Sequence, residues 1–174
     1  MPKVHRVKRT RGGQKTYLCV KCHEAIVAGQ EYYHWTPYKS NTRQQHVSCG
    51  YPSQSQLRPG SKMARVDDAV QDADLGSLTS GDEIETALGQ VADIAREVAE
   101  EYGESADNIE SNFPSGNPTS EACRAAQEGL ESWAEDLDSW TADEKEDDED
   151  EDDYLERVRE EAQDALGEQP QYEG

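Results

Sequence analysis

Two short pairs constrain this chain more than any other feature. Cys19-Val20-Lys21-Cys22 comes first, and His46-Val47-Ser48-Cys49 follows after 23 intervening residues. Each pair is spaced so that one tight turn presents two donors, and together they supply the four soft ligands of a tetrahedral ion. The pattern reads as one structural Zn2+ held by Cys19, Cys22, His46 and Cys49. His23 and His34 are alternatives to His46, although neither completes a second short pair. Four protein ligands leave no position for a metal-bound water, which argues against metal-assisted hydrolysis at this site. With 33% hydrophobic residues and a mean hydropathy of -1.02, the chain is too polar for one large core. A metal worth roughly 10 to 16 kcal/mol of apparent binding energy can stand in for one in a small module.

Between the pairs, Ala28-Gly29-Gln30 reads as a turn and the aromatic enrichment of Glu31 to Thr36 as a strand. Alternation sends Tyr32 and His34 to one face and Tyr33 and Trp35 to the other. One pair is expected to cover the metal and the other to face solvent or a ligand. Residues 3–11 read as a basic strand or arm ended by Gly12-Gly13, residues 37–45 as a polar basic loop, and residues 53–65 as a connector with at most a short helical turn.

Charge divides the chain. Residues 1–65 hold 12 Lys/Arg and 2 Asp/Glu, a charge of +10, whereas residues 66–174 hold 5 and 36, a charge of -31. A basic module suits a polyanion; an acidic one repels or mimics it. Lys3, Arg6, Lys8, Arg9, Arg11, Lys15, Lys21, Lys39 and Arg43, interleaved with Tyr17, Tyr33, Trp35 and Tyr38, form a candidate nucleic-acid surface, cations for phosphates and rings for bases.

The acidic half has helical periodicity. Val66, Val70 and Ala73 suit a short helix, and Ser80 with Glu83 makes a capping box. From there Ile84, Leu88, Val91, Ala95, Val98, Tyr102, Ala106, Ile109 and Phe113 trace one apolar stripe that keeps its phase across Gly103, predicting a continuous or slightly bent helix. Pro114 to Pro118 reads as a stop. A second helix capped by Ser120 carries Cys123, Ala126, Leu130, Trp133, Leu137 and Trp140 on its seam. Two stripes joined by a short turn predict an antiparallel helical hairpin whose longer arm needs a further partner around Ile84, Leu88 and Val91: the Val66 helix, the C-terminal helix or a second copy. Asp143 to Asp153 reads as an extended acidic linker, and Leu155, Val158, Ala162 and Leu166 as a final amphipathic helix.

The fold class expected is therefore α+β: a small N-terminal zinc-stabilised β-knuckle over residues 1–52, a connector with a short helix over 53–79, a long antiparallel α-helical hairpin over 80–141, an acidic linker over 142–153, and a short amphipathic helix and tail over 154–174. The ligand order Cys19, Cys22, His46, Cys49 resembles the treble-clef-like fingers of the poly(ADP-ribose) polymerase type, with fewer residues between the second and third ligands than that family usually has. The basic arm, the strand Gly29 to Trp35 and the helical segment Glu97 to Ile109 also look like phage-encoded zinc-finger/helical proteins. The first resemblance implies a treble-clef-like finger that contacts DNA, the second a phage origin.

No nucleophile elbow, phosphate loop or zinc-protease motif accompanies the finger, so a non-enzymatic protein is expected. The functional expectation is nucleic-acid binding, DNA or RNA, through the basic module, with the acidic hairpin for a protein partner, self-association or masking. A protein–protein adaptor with a purely structural finger is the alternative. Cysteine usage without a disulfide framework, together with the absence of an apolar signal core or membrane span, suits a cytoplasmic chain.

Overall fold

The computed structural model describes residues 2–8, 17–37, 40–113, 117–145 and 149–172. The architecture is α+β, with small antiparallel sheets at the N-terminus followed by long helices. It divides into two compact units, Met1–Ala64 and Arg65–Gly174.

Among its described residues the first unit has five short strands: β1 (His5–Val7), β2 (Tyr17–Leu18), β3 (Ala25–Ile26), β4 (Tyr32–Trp35) and β5 (Arg43–His46). β4 is the centre of a three-stranded antiparallel sheet, with His5 opposite His34 on one side and Tyr32 opposite His46 on the other. β2 and β3 form a separate hairpin. The basic loop expected over residues 37–45 is shorter than the sequence suggests, because Arg43–His46 is a strand. Its Arg-Gln-Gln-His composition has little β-propensity; pairing with the aromatic β4 decides its conformation.

The stretch after Cys49 holds the short helical turn that its sequence allows. Ser53 caps α1 (Gln54–Leu57) with a complete capping box: its side chain accepts from Gln56 N–H while Gln56 Oε1 accepts from Ser53 N–H at 2.9 Å. Leu57 is buried, and Trp35 Nε1 donates to the Gln56 carbonyl at 3.2 Å. Trp35 is therefore covered by α1 and does not look out on solvent, whereas Tyr33 on the same face is half-buried.

The second unit is helical. After α2 (Met63–Asp72), whose first two residues belong to the first unit, come α3 (Gly81–Asn112), α4 (Pro118–Ser139) and α5 (Glu151–Gly167). α3 is one uninterrupted helix through Gly103, as the unbroken stripe predicts. Ile84, Leu88, Val91, Ala95, Val98 and Ala106 are buried, Tyr102 and Ile109 half-buried, and Phe113 exposed. α4 packs along it with Ala126, Leu130, Trp133 and Leu137 inward. Ion pairs link Arg96 to Asp138 near one end and Arg124 to Glu110 near the other.

The caps differ in detail from the sequence pattern. Ser80 accepts from Glu83 N–H, but the Glu83 carboxylate reaches one residue further back, to Thr79 N–H (2.7 Å) and its hydroxyl (3.0 Å), which hold that carboxyl below its usual range. α4 is capped by Asn117, whose side chain accepts from Thr119 N–H, with Pro118 at the first helical position where its missing N–H costs nothing. Ser120 is instead a buried residue of the first turn, donating to the Asn117 carbonyl. The acidic linker ends earlier than Asp153, because Asp150 accepts from Asp152 N–H and Asp153 N–H and starts α5 there. Carboxylates in a first turn complement the helix dipole.

α5 supplies the missing cover for α3. Leu155, Val158, Ala162 and Leu166 are all buried, and α5 packs on both α3 and α4. Trp133 Nε1 donates to the Ala165 carbonyl at 3.0 Å and Tyr172 to the Ala125 carbonyl at 3.0 Å, so the amphipathic C-terminal segment is pinned by polar as well as apolar contacts.

Candidate metal centre

Each ligand is placed by backbone hydrogen bonding. Cys19 follows β2, and its N–H donates to the Glu24 carbonyl (2.9 Å) while its own carbonyl accepts from His23 N–H (3.0 Å), folding the Cys19–Cys22 knuckle on itself. His23 closes that turn at φ 61, the left-handed region most side chains avoid, and points away exposed. His46 ends β5, and a single 3-10 turn, Val47–Cys49, brings round the fourth ligand. Val20 N–H donates to the Gln44 carbonyl at 2.9 Å, tying the first turn to the strand that carries the second.

The four donor atoms lie within 4.8 Å of one another. Cys19 Sγ is 3.8 Å from Cys49 Sγ, and Cys22 Sγ is 3.4 Å from His46 Nδ1. Bonds of about 2.3 Å to sulfur and about 2.05 Å to nitrogen put the edges of a tetrahedral shell at about 3.8 Å for sulfur–sulfur and about 3.6 Å for sulfur–nitrogen. The residues thus fit a four-coordinate ion such as zinc. Among the described residues no other group of three or more His, Cys, Asp or Glu is gathered this way.

The surroundings prepare the ligands. His46 Nε2 lies 3.2 Å from Gln30 Oε1, an acceptor that keeps the proton on Nε2 and turns the Nδ1 lone pair toward the sulfurs. Gln30 Oε1 is itself held by Val27 N–H at 2.8 Å. Gln45, buried between strand and turn, donates from Nε2 to the Cys49 and Gly50 carbonyls at 3.4 and 3.1 Å and braces the segment carrying Cys49. Burial pushes the Cys19 thiol up, but hydrogen bonds from backbone N–H groups of Cys22, His46 and Lys21 outweigh it and bring the group down to about 6. Burial and the neighbouring sulfurs push Cys49 up to about 11. Three sulfurs this close cannot all carry charge without a cation among them.

No family model, curated protein or solved structure matches this chain. What the site can do is read from its geometry alone. All four positions are filled by protein donors, with Cys19 and His46 buried, Cys49 half-buried and Cys22 exposed at the rim.

The candidate nucleic-acid residues fare unevenly. Lys3, Arg6, Lys8 and Lys21 are exposed and Arg43 is half-buried. Arg6 pairs with Glu31, and the hydrogen bond to that carboxylate raises its pKa. Arg9, Arg11, Lys15, Lys39 and Tyr38 lie outside the described residues. Trp35 is the correction: it is 1% exposed and hydrogen-bonded to α1, so it cannot stack on a base. Tyr33 is half-buried edge-on to Tyr51, with ring centroids 5.3 Å apart.

On the opposite face His5 stacks on His34, and Tyr32 lies between His34 and Tyr17. Gln30 and Gln45 are the functional residues that sequence reasoning missed. Gln30 had a faint signal, a polar side chain in the turn before the aromatic strand; Gln45 had none. Among the described residues no helix is long and apolar enough to cross a membrane.

Proposed function

We propose that this is a non-enzymatic protein whose N-terminal unit is a treble-clef-like finger on one structural Zn2+ and contacts nucleic acid through the basic residues around it. The observation that carries the reading is the +10 charge of residues 1–65 around a centre with no open coordination position. The metal's chemistry ends at holding the fold, and Lys3, Lys8 and Lys21 are offered to phosphates from the surface of a folded module. α3 and α4 make an antiparallel hairpin whose carboxylates compete with nucleic acid for that basic surface or present it to a protein.

The test is fluorescence anisotropy of the zinc-loaded chain with labelled single-stranded and duplex DNA and RNA over a salt series. Binding should weaken as salt rises, and Lys3→Ala/Lys8→Ala should flatten the slope by roughly 1 to 2 units on a log–log plot. No binding at low salt by the full chain or by a chain ending at Ala64 would sink the reading. A second reading, a protein–protein adaptor with a purely structural finger, is favoured by the burial of Trp35, which removes the strongest base-stacking candidate.

A further inference from the structure

We infer that the acidic unit carries a docking groove for a cationic amphipathic helix of a protein partner, independently of what the basic unit binds. Two adjoining cavities of about 570 and 380 Å³ lie between α2 and the first half of α3, sharing Asp72, Ala73, Ala87 and Gln90. The floor is made of small and aliphatic side chains, Ala69 on α2 and Ala73 in the turn that follows it facing Ala87, Val91 and Ile94 on α3. All but Val91 are only half-buried. Small residues there let another backbone approach closely, and i, i+4, i+7 spacing is what an amphipathic helix matches with its own apolar stripe.

The rim decides the sign of the partner. Asp72, Asp74, Asp82, Glu83 and Asp93 surround the floor, and among the described residues no Lys, Arg or His lines either cavity. Glu83 is committed to Thr79, and Asp93 to Arg96. Asp72, Asp74 and Asp82 are exposed and make no ion pair among the described residues. These carboxylates are not drawn together around a point as for a divalent cation, since the four-residue Cys/His cluster alone meets that spacing among the described residues.

Other occupants fit worse. A nucleic acid is repelled by the rim, and a second copy would meet it with a unit of the same strongly negative charge. The chain's own basic stretch, Lys8-Arg9-Thr10-Arg11-Gly12-Gly13-Gln14-Lys15, has cations but no aliphatic side chain to place on the floor. A helix with leucine-sized residues along one stripe and Lys or Arg beside it satisfies both.

The probe is a fluorescein-labelled amphipathic leucine–lysine peptide, titrated by anisotropy into the zinc-loaded full chain, with the leucine–glutamate counterpart as control. Saturable binding of the lysine peptide alone is expected, with amide shifts at Ala69, Ala73, Ala87 and Ile94. Ala87→Arg should weaken it by about tenfold or more, and Asp72→Asn/Asp82→Asn by a few-fold with a shallower salt dependence. The proposal is overturned if the glutamate peptide binds equally, if shifts spread over the acidic faces of α3, α4 and α5, if Ala87→Arg with unchanged helicity binds like wild type, or if light scattering finds a dimer the peptide does not dissociate. Should Ala87→Arg lose helicity, the double Asn variant and the shift map still decide.

Discussion

The two units solve the same problem with different currencies. In Met1–Ala64 the buried apolar side chains among the described residues are Cys19, Ile26, Trp35, Pro37, Pro52, Leu57, Met63 and Ala64, one of which is itself a candidate metal ligand. Among the described residues Arg65–Gly174 buries nineteen, seventeen of them in stripes on α3, α4 and α5. The first is short of apolar area and closes around four donor atoms; the second needs no ion because three helices cover one another's seams. A ligand set is all-or-none, whereas a long seam loses stability piece by piece.

Metal removal is the strongest way to break that comparison. Chelation, or Cys49→Ser, should abolish hydrogen-exchange protection across 17–64 and leave that of 81–139 intact, a loss on the order of 10 kcal/mol for the first unit alone. If the helices melt with it, the units are not independent. Leu130→Ala is the converse: the fully buried side chain leaves a cavity between the helices, lowering the stability of the second unit by roughly 2 to 5 kcal/mol in a thermal or urea melt. Metal stoichiometry should stay at wild type.

Two smaller changes sharpen the contrast. Gln30→Leu removes the acceptor behind His46 Nε2 and should weaken metal affinity by roughly 10- to 100-fold in a competition titration, with no change in helix stability. Gly103→Ala should move the helical melt upward by less than about 1 kcal/mol. The added Cβ would come within 2.7 Å of Gln127 Oε1, the far end of a flexible side chain that can swing aside, while α3 gains a better helix former. A loss instead would mean that Gln127, held by Arg124 and holding Glu131, is fixed more firmly than a surface amide should be.

How far residues could be read from pattern depended on the distance of their partners. Gly103 sits inside a helix because the apolar stripe on both sides of it shares one phase, a local property. Asn117-Pro118 is equally local: α3 ends at Asn112, ahead of the Pro114 to Pro118 stop, and Pro118 itself occupies the first helical position of α4. Ser53-x-x-Gln56 likewise spelled a capping box in a stretch read as connector. Trp35 was different. Strand alternation separates two faces but says nothing about which one a later element covers, and the covering carbonyl, Gln56, is 21 residues away. The strand Arg43–His46 shows the same dependence, since its polar residues pair only because β4 is beside them.

The sequence by itself determined the donor set, the polarity of each half and the apolar faces of the long helices, because ligand spacing, charge and 3.6-residue periodicity are all written within a few turns of chain. Only the tertiary structure decided that Nδ1 of His46 faces the sulfurs with Gln30 behind it, that Trp35 is inside, and that α5 closes over α3. Each of those rests on atoms brought together from distant positions, and what a side chain touches across such a distance is set by packing and not by its neighbours in sequence.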